Sequence, residues 1–299
     1  MRASLSILAA LALFTLPLAA GAKRSAPPKP SLPSCEPLPA TGARPWGETE
    51  RLYYDVDVMG ALAGKLTLIA YPPGGRPGSE EMTVRAMAAS NSFFSKIRQI
   101  RGRASSNLEA STLRPRRYQE ETQEGDVERS AQVRFERSKK SRQMVLDYKR
   151  NGRSSKKRFK HDYDAFDPLS AFYALRSMEL TEGKSLCFDA YGIRRHWRVS
   201  GQVKAKEVVR VPAGVFEAFR IEGTAYRVDD PRRSREIHVW VSADEKRLPL
   251  AALGVMDLGP VRAQLTRVDG AIDEELEDAV TSQLPQKAAP RPAGRQRVR

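Results

Sequence analysis

Few side chains in this sequence combine the type and the spacing that chemistry requires. The three histidines, His161, His196 and His238, stand far apart, and none has a second His or a Cys at metal-ligand spacing. Each reads as a surface or half-buried strand residue close to Asp162, Trp197 or Trp240. Asp162, Asp164 and Asp167 form a small acidic cluster that could bind a cation or act as general acid and base. They read more simply as the cap of a helix, where carboxylates favour the positive end of the helix dipole. Ser170 lacks a Gly-x-Ser-x-Gly elbow, and no Gly-rich phosphate loop occurs. Arg176 and the Asp55/Asp57 pair are candidates for a cavity mouth. No catalytic residue, metal site or cofactor is assigned, and a non-enzymatic protein is expected.

Two cysteines, Cys35 and Cys187, allow one bridge in an oxidising compartment; two free thiols are the alternative. The compartment is read from residues 1–22. Arg2 supplies the positive start, Leu5 to Ala19 an apolar run, and Ala20-Gly21-Ala22 a small-residue cleavage site, which together predict a secretory signal peptide. Cys35 does not follow the apolar run directly, so it is no lipoprotein acylation site. The expected location is the periplasm or cell envelope.

The elements that must position any site follow from patterning. Residues 23–45 carry Pro27, Pro28, Pro30, Pro33, Pro37 and Pro39 and predict an extended linker. Residues 46–270 predict one β domain. Leu52, Tyr54, Val56 and Val58 alternate, as do Leu66, Leu68 and Ala70, and such runs continue to Val261–Val268. Asn151-Gly152 predicts a type I′ hairpin turn. Residues 271–299 predict a disordered tail.

One stretch breaks the strand pattern. In Phe166 to Arg176, Asp167 is placed to cap a helix and Pro168 sits at its first position, where a missing N–H costs nothing. Leu169, Phe172, Tyr173 and Arg176 share one face. The expected fold is therefore all-β, with one or two short helices. It is a strongly bent antiparallel sheet or open barrel of about 10–12 strands, with the helix on its concave face.

A sheet curled in this way can enclose an apolar ligand. Candidate lining residues are Phe93, Phe94, Leu169, Phe172, Tyr173, Leu175, Trp197 and Trp240; a closed core built from the same residues is the alternative. The formal charge is +15, and residues 96–160 hold 20 Lys and Arg against 8 Asp and Glu. That excess favours an anionic partner. Arg134, Arg142, Lys156, Lys157 and Arg158 are candidates for such a surface, with a solvated strand exterior as the plain reading. Nucleic acid is not the expected target of an exported chain.

Several motifs then appear in order. They are Gly47-Glu48 before Leu52-Tyr53-Tyr54, Gly60-x-x-x-Gly64, Leu113-x-Pro115, the Phe166 to Arg176 stretch, Val211-Pro-Ala-Gly-x-Phe216 and Trp240-Val-Ser-x-Asp244. Together they resemble the domain-of-unknown-function family 3108 of bacterial envelope proteins, over about Trp46 to Asp269. The resemblance implies architecture and no catalytic residues. By analogy it implies a LolA-like fold, in which a bent sheet cups helices around an apolar cavity. From this follow two function hypotheses. One is a carrier of a lipid-like or acylated ligand, with peripheral membrane contact. The other is a structural protein holding an anionic envelope polymer through the basic strands. A hydrolase ranks last.

Overall fold

A computed structural model describes residues 31–38, 44–46, 49–73, 80–138, 141–256 and 259–268. The expected signal peptide, much of the linker and the expected disordered tail lie outside the described residues. The first half of the chain forms β1 (Glu50–Val58), β2 (Ala61–Tyr71), β3 (Glu81–Ser90), α1 (Ser92–Ser95), β4 (Ile100–Glu109), β5 (Pro115–Glu124), β6 (Val127–Arg137), β7 (Arg142–Arg150) and β8 (Arg153–Lys160). The second half forms β9 (Ala165–Phe166), α2 (Pro168–Ser177), β10 (Ser185–Gly192), β11 (Arg195–Val211), β12 (Gly214–Arg227), β13 (Asp230–Ser242), β14 (Pro249–Met256) and β15 (Gly259–Val268).

All strands join one bent open sheet in the order β8-β7-β6-β5-β4-β3-β2-β1-β15-β14-β13-β12-β11-β10-β9. Each half is a meander, and the antiparallel pair β1–β15 joins the halves. The sheet has fifteen strands, more than the sequence reading expected. One cause is visible: β9 is two residues long and too short to alternate, and it pairs in parallel with β10. The Asn151-Gly152 turn has both residues at positive φ, 44° and 80°, as a type I′ hairpin needs.

Antiparallel pairing sorts the connections by end. The β1–β2, β3–β4, β5–β6, β7–β8, β10–β11, β12–β13 and β14–β15 connections share one end of the sheet, called here the upper end. The lower part of the concave face is filled. Leu52, Leu68, Met82, Val84, Leu108, Val133, Met144 and Leu146 are buried there, and α2 lies against β3, β4, β9 and β10.

The helix starts at Pro168 as the sequence predicts, and buried polar contacts fix both ends. At its N-terminus the Asp167 carboxylate accepts from the Leu169 and Ser170 amides at 2.9 and 3.0 Å, and the Ser170 hydroxyl closes the capping box by accepting from the Asp167 amide at 2.9 Å. The Ser106 hydroxyl on β4 donates to Asp167 at 2.6 Å, which ties the cap to the inner face of the sheet. At its C-terminus the Arg176 guanidinium makes two bonds to Glu50 of β1, at 2.6 and 2.8 Å, and donates to the Arg247 carbonyl at 2.8 Å. It also lies 4.7 Å from the Trp46 ring centre and 5.1 Å from that of Tyr173.

The buried cap has a consequence for stability. Burial pushes the Asp167 carboxyl up to about 6, against the hydrogen bonds from Ser106, Ser170 and Leu169 that favour its charged form. A carboxyl raised in the folded state holds its proton more tightly there, so its contribution is full below the unfolded value and is lost as pH rises through the folded one. Between about pH 4 and 6 the wild type should lose about 2 kcal/mol relative to Asp167→Asn, which cannot ionise. Urea unfolding of both proteins across that window checks this; parallel pH profiles would contradict it.

Outside the sheet, a Cys35–Cys187 disulfide is present, with Cα atoms 5.0 Å apart. It pins the segment before the domain to β10, and the Arg198 side chain donates to the Pro33 carbonyl beside it at 3.4 Å.

Candidate functional site

The upper part of the concave face is hollow. A cavity of about 500 Å³ opens there, within the ~300–1,000 Å³ range of small-molecule pockets. Its cause is the size of the inward residues. The paired rows across β2, β3 and β4 place Gly64 beside Ser90 and Ala88 beside Gly102. These side chains are too short to meet across a curled sheet. Gly64 is also required by close backbone approach, since a β-carbon there would come within 2.2 Å of the Ala89 carbonyl oxygen.

The walls are apolar, with Val56, Val58, Ala63, Ala88, Ile100 and Val261 along β1–β4 and β15. Polar groups lie opposite. The Glu120 carboxylate accepts from the Tyr118 hydroxyl at 2.9 Å and from the Tyr191 hydroxyl at 3.0 Å. Tyr191 belongs to β10, so this contact spans the hollow from one half of the sheet to the other. Burial raises the Glu120 carboxyl above the ordinary carboxylate range, while the two tyrosines and the positive charge of Arg194 pull it back. Burial raises Tyr118 and Tyr191 as well, so both stay neutral donors. Arg98, Arg129, Arg194 and Arg235 ring the upper part. Arg98 and Arg129 are paired with Glu124, whereas the Arg194 guanidinium stacks 4.7 Å from the Tyr148 ring centre.

The side chains singled out from the sequence are dispersed. Phe94 lines the cavity, and Phe93 beside it is 66% exposed. Leu169 and Tyr173 are buried in the packed lower core, with Phe172 and Leu175 half-buried against it. Trp197 is buried and donates to the Gly192 carbonyl at 2.8 Å. Trp240 is half-buried and donates to Glu207. The helix therefore plugs the lower end, and its face does not line the hollow. Arg176, read as a cavity-mouth candidate, is instead buried against Glu50 in that plug. Large apolar residues fill space; the missing signal was the run of small residues at inward positions on three adjacent strands.

The basic candidates are likewise spread out. Arg134 and Lys156 both pair with Asp147, at 3.0 and 3.4 Å. Arg142 donates to the Asp162 carbonyl at 3.5 Å. Lys156, Lys157 and Arg158 lie on β8, an edge strand exposed along nearly its whole length. Lysines on such an edge block pairing with a second sheet. Of the acidic cluster, Asp167 caps the helix, Asp164 pairs with Arg114 at 2.8 Å and Asp162 is exposed. His161 is buried against the Tyr163 carbonyl, His196 is buried beside Asp189, and His238 stacks near Trp240. Among the described residues, no group of three or more His, Cys, Asp or Glu is arranged to hold a metal ion. No helix among them is long and apolar enough to cross a membrane.

The sequence profile of a family described as protein of unknown function, DUF3108, matches residues 53–266. The chain belongs to the DUF3108 family. That span runs from β1 to β15 and so takes in the helical plug and the hollow. Among solved structures, this DUF3108 chain is similar in fold to a β-barrel-like protein of domain of unknown function DUF1849 from Brucella abortus. The TM-score is 0.50 at 10% identity, covering 74% of this chain and 97% of that one. It also matches a candidate exported protein with a YmcC-like fold from Bacteroides fragilis, with a TM-score of 0.33 at 10% identity over 77% of this chain and 100% of that one. A candidate lipoprotein from Parabacteroides distasonis matches with a TM-score of 0.35 at 8% identity over 78% and 100%. No curated protein matches the chain. The likeness to LolA remains an analogy.

Proposed function

We propose that this DUF3108 chain is an exported, non-enzymatic protein that holds the apolar part of a lipid-like or acylated molecule in the upper cavity. The observation that carries the reading is the hollow itself. Small residues on three adjacent strands keep open a space with apolar walls, while the same sheet is packed solid below. An apolar hollow forfeits the contacts that packing would supply, so its upkeep by Gly64, Ala88, Ser90 and Gly102 is accounted for when a ligand fills it. Arg194 at the polar side would face an anionic or polar head group, and the neutral Tyr118 and Tyr191 hydroxyls hold Glu120 back against the wall.

The alternative, a basic face gripping an anionic polymer, draws less support, because Asp147 neutralises Arg134 and Lys156. Titration with cis-parinaric acid, a fluorescent fatty acid, tests the reading. The expected result is saturable emission at one molecule per chain, displaced by palmitate. Emission that never saturates, or that palmitate fails to displace, would overturn it.

A further inference from the structure

The cavity opens at an end that is itself unusual. Among the described residues eight large apolar side chains are exposed, and six of them, Met59, Leu62, Phe93, Ile97, Ile193 and Val255, belong to the upper end. They are held there by structure. The Met59 amide donates to the Pro260 carbonyl at 2.9 Å, which joins the β1–β2 turn to the start of β15. The Asn91 side chain caps α1 through the Phe94 amide and donates to the Leu62 carbonyl, both at 2.7 Å, so α1 sits over the start of β2. Phe93 and Ile97, 66% and 73% exposed, project from this segment beside Phe94, which lines the cavity.

Cations accompany these tips. Lys96 lies between Phe93 and Ile97, Arg194 and Arg195 follow Ile193, and Arg150 and Arg153 flank the neighbouring β7–β8 turn. Lys96, Arg150 and Arg153 are exposed and have no ion-pair partner among the described residues. Three acidic groups of this end are already paired, Glu124 with Arg98 and Arg129, Asp229 with Arg227, and Asp230 with Arg232 and Arg233. Asp126 and Glu128 are the exposed carboxylates of the adjoining β5–β6 turn. Apolar tips flanked by unpaired cations suit the boundary of an anionic bilayer, where the tips enter the acyl region and the cations meet the head groups.

We infer that the upper rim docks on an anionic lipid surface, with the cavity mouth facing the membrane. A lipid or acylated molecule would then pass between bilayer and cavity without crossing water. The inference rests on the carrier reading for its purpose but stands on the rim residues alone.

Flotation of the full chain with vesicles tests it. Wild type should float with phosphatidylcholine vesicles containing phosphatidylglycerol, and much less with phosphatidylcholine alone or at high salt. Phe93→Asp and Ile97→Asp should each weaken flotation by about tenfold or more, since each removes an exposed apolar tip that would enter the acyl region of the bilayer. Val208→Asp, exposed at the opposite end, should float as wild type. Absence of flotation, equal flotation by the rim variants, or an equal loss in Val208→Asp would overturn the docking. So would rim variants that only dissolve a dimer seen by gel filtration, which would make the rim an interface between copies. Parinaric acid capture separates the two claims. Capture without flotation removes the docking and leaves the carrier, while flotation without capture does the reverse.

Discussion

Arg176→Met is expected to lower the stability of the fold by about 3–5 kcal/mol, the cost of leaving one partner of a buried ion pair alone. Glu50 and Arg176 are both buried, and the guanidinium also satisfies the Arg247 and Lys246 carbonyls at 2.8 and 3.2 Å. Removing it strands a carboxylate and two carbonyls at once. Met fills most of the aliphatic volume, so the loss reports charge and hydrogen bonding more than a void. The pair itself is a poor source of net stability, because both charges were taken out of water to form it. The double variant Glu50→Gln/Arg176→Met should therefore recover part of the loss. Denaturant unfolding of the four proteins of this cycle gives the coupling. Single variants that each cost under about 1 kcal/mol, the value of a surface pair, would show that the plug is not held this way.

The second large effect is on binding. Ala88→Trp should weaken cis-parinaric acid capture by more than about a hundredfold, because the indole occupies the space an acyl chain needs. Ala88 is half-buried in the wall of an open hollow, paired with Gly102 on one side and Leu66 on the other. A large side chain there meets empty space, so the usual penalty of overpacking a filled core does not apply. The midpoint of unfolding should stay close to that of wild type. Loss of folding along with binding would mean that the hollow is smaller in solution. Unchanged binding would place the ligand elsewhere.

Much of this architecture could be read from the chain. Alternation of apolar residues marked nearly every strand, since one face of each is buried and the other wet. Asp167 and Pro168 marked the start of α2 because capping is local chemistry. The site was less legible. The sequence leaves Tyr173 and Leu169 open between cavity lining and closed core, and they belong to the core; a helical face does not reveal whether its partner surface is near or far. Glu120 carries no local sequence signal, because its two tyrosine donors come from β5 and, across the hollow, from β10. Nothing local in Tyr118 or Tyr191 announces that meeting. The cluster of exposed apolar tips was equally hidden, because Met59, Phe93, Ile193 and Val255 converge only when the meander brings alternate turns to one end.

The most direct test of the central claim is the place of an acyl chain in a crystal of the protein grown with a bromine-labelled fatty acid. Anomalous scattering from a terminal bromine should appear inside the upper cavity, among Val56, Ala88, Ile100 and Val261, with the carboxylate towards Arg194. Bromine found only on the outer face of the sheet, or nowhere on the protein at a concentration that saturates parinaric acid, would contradict it.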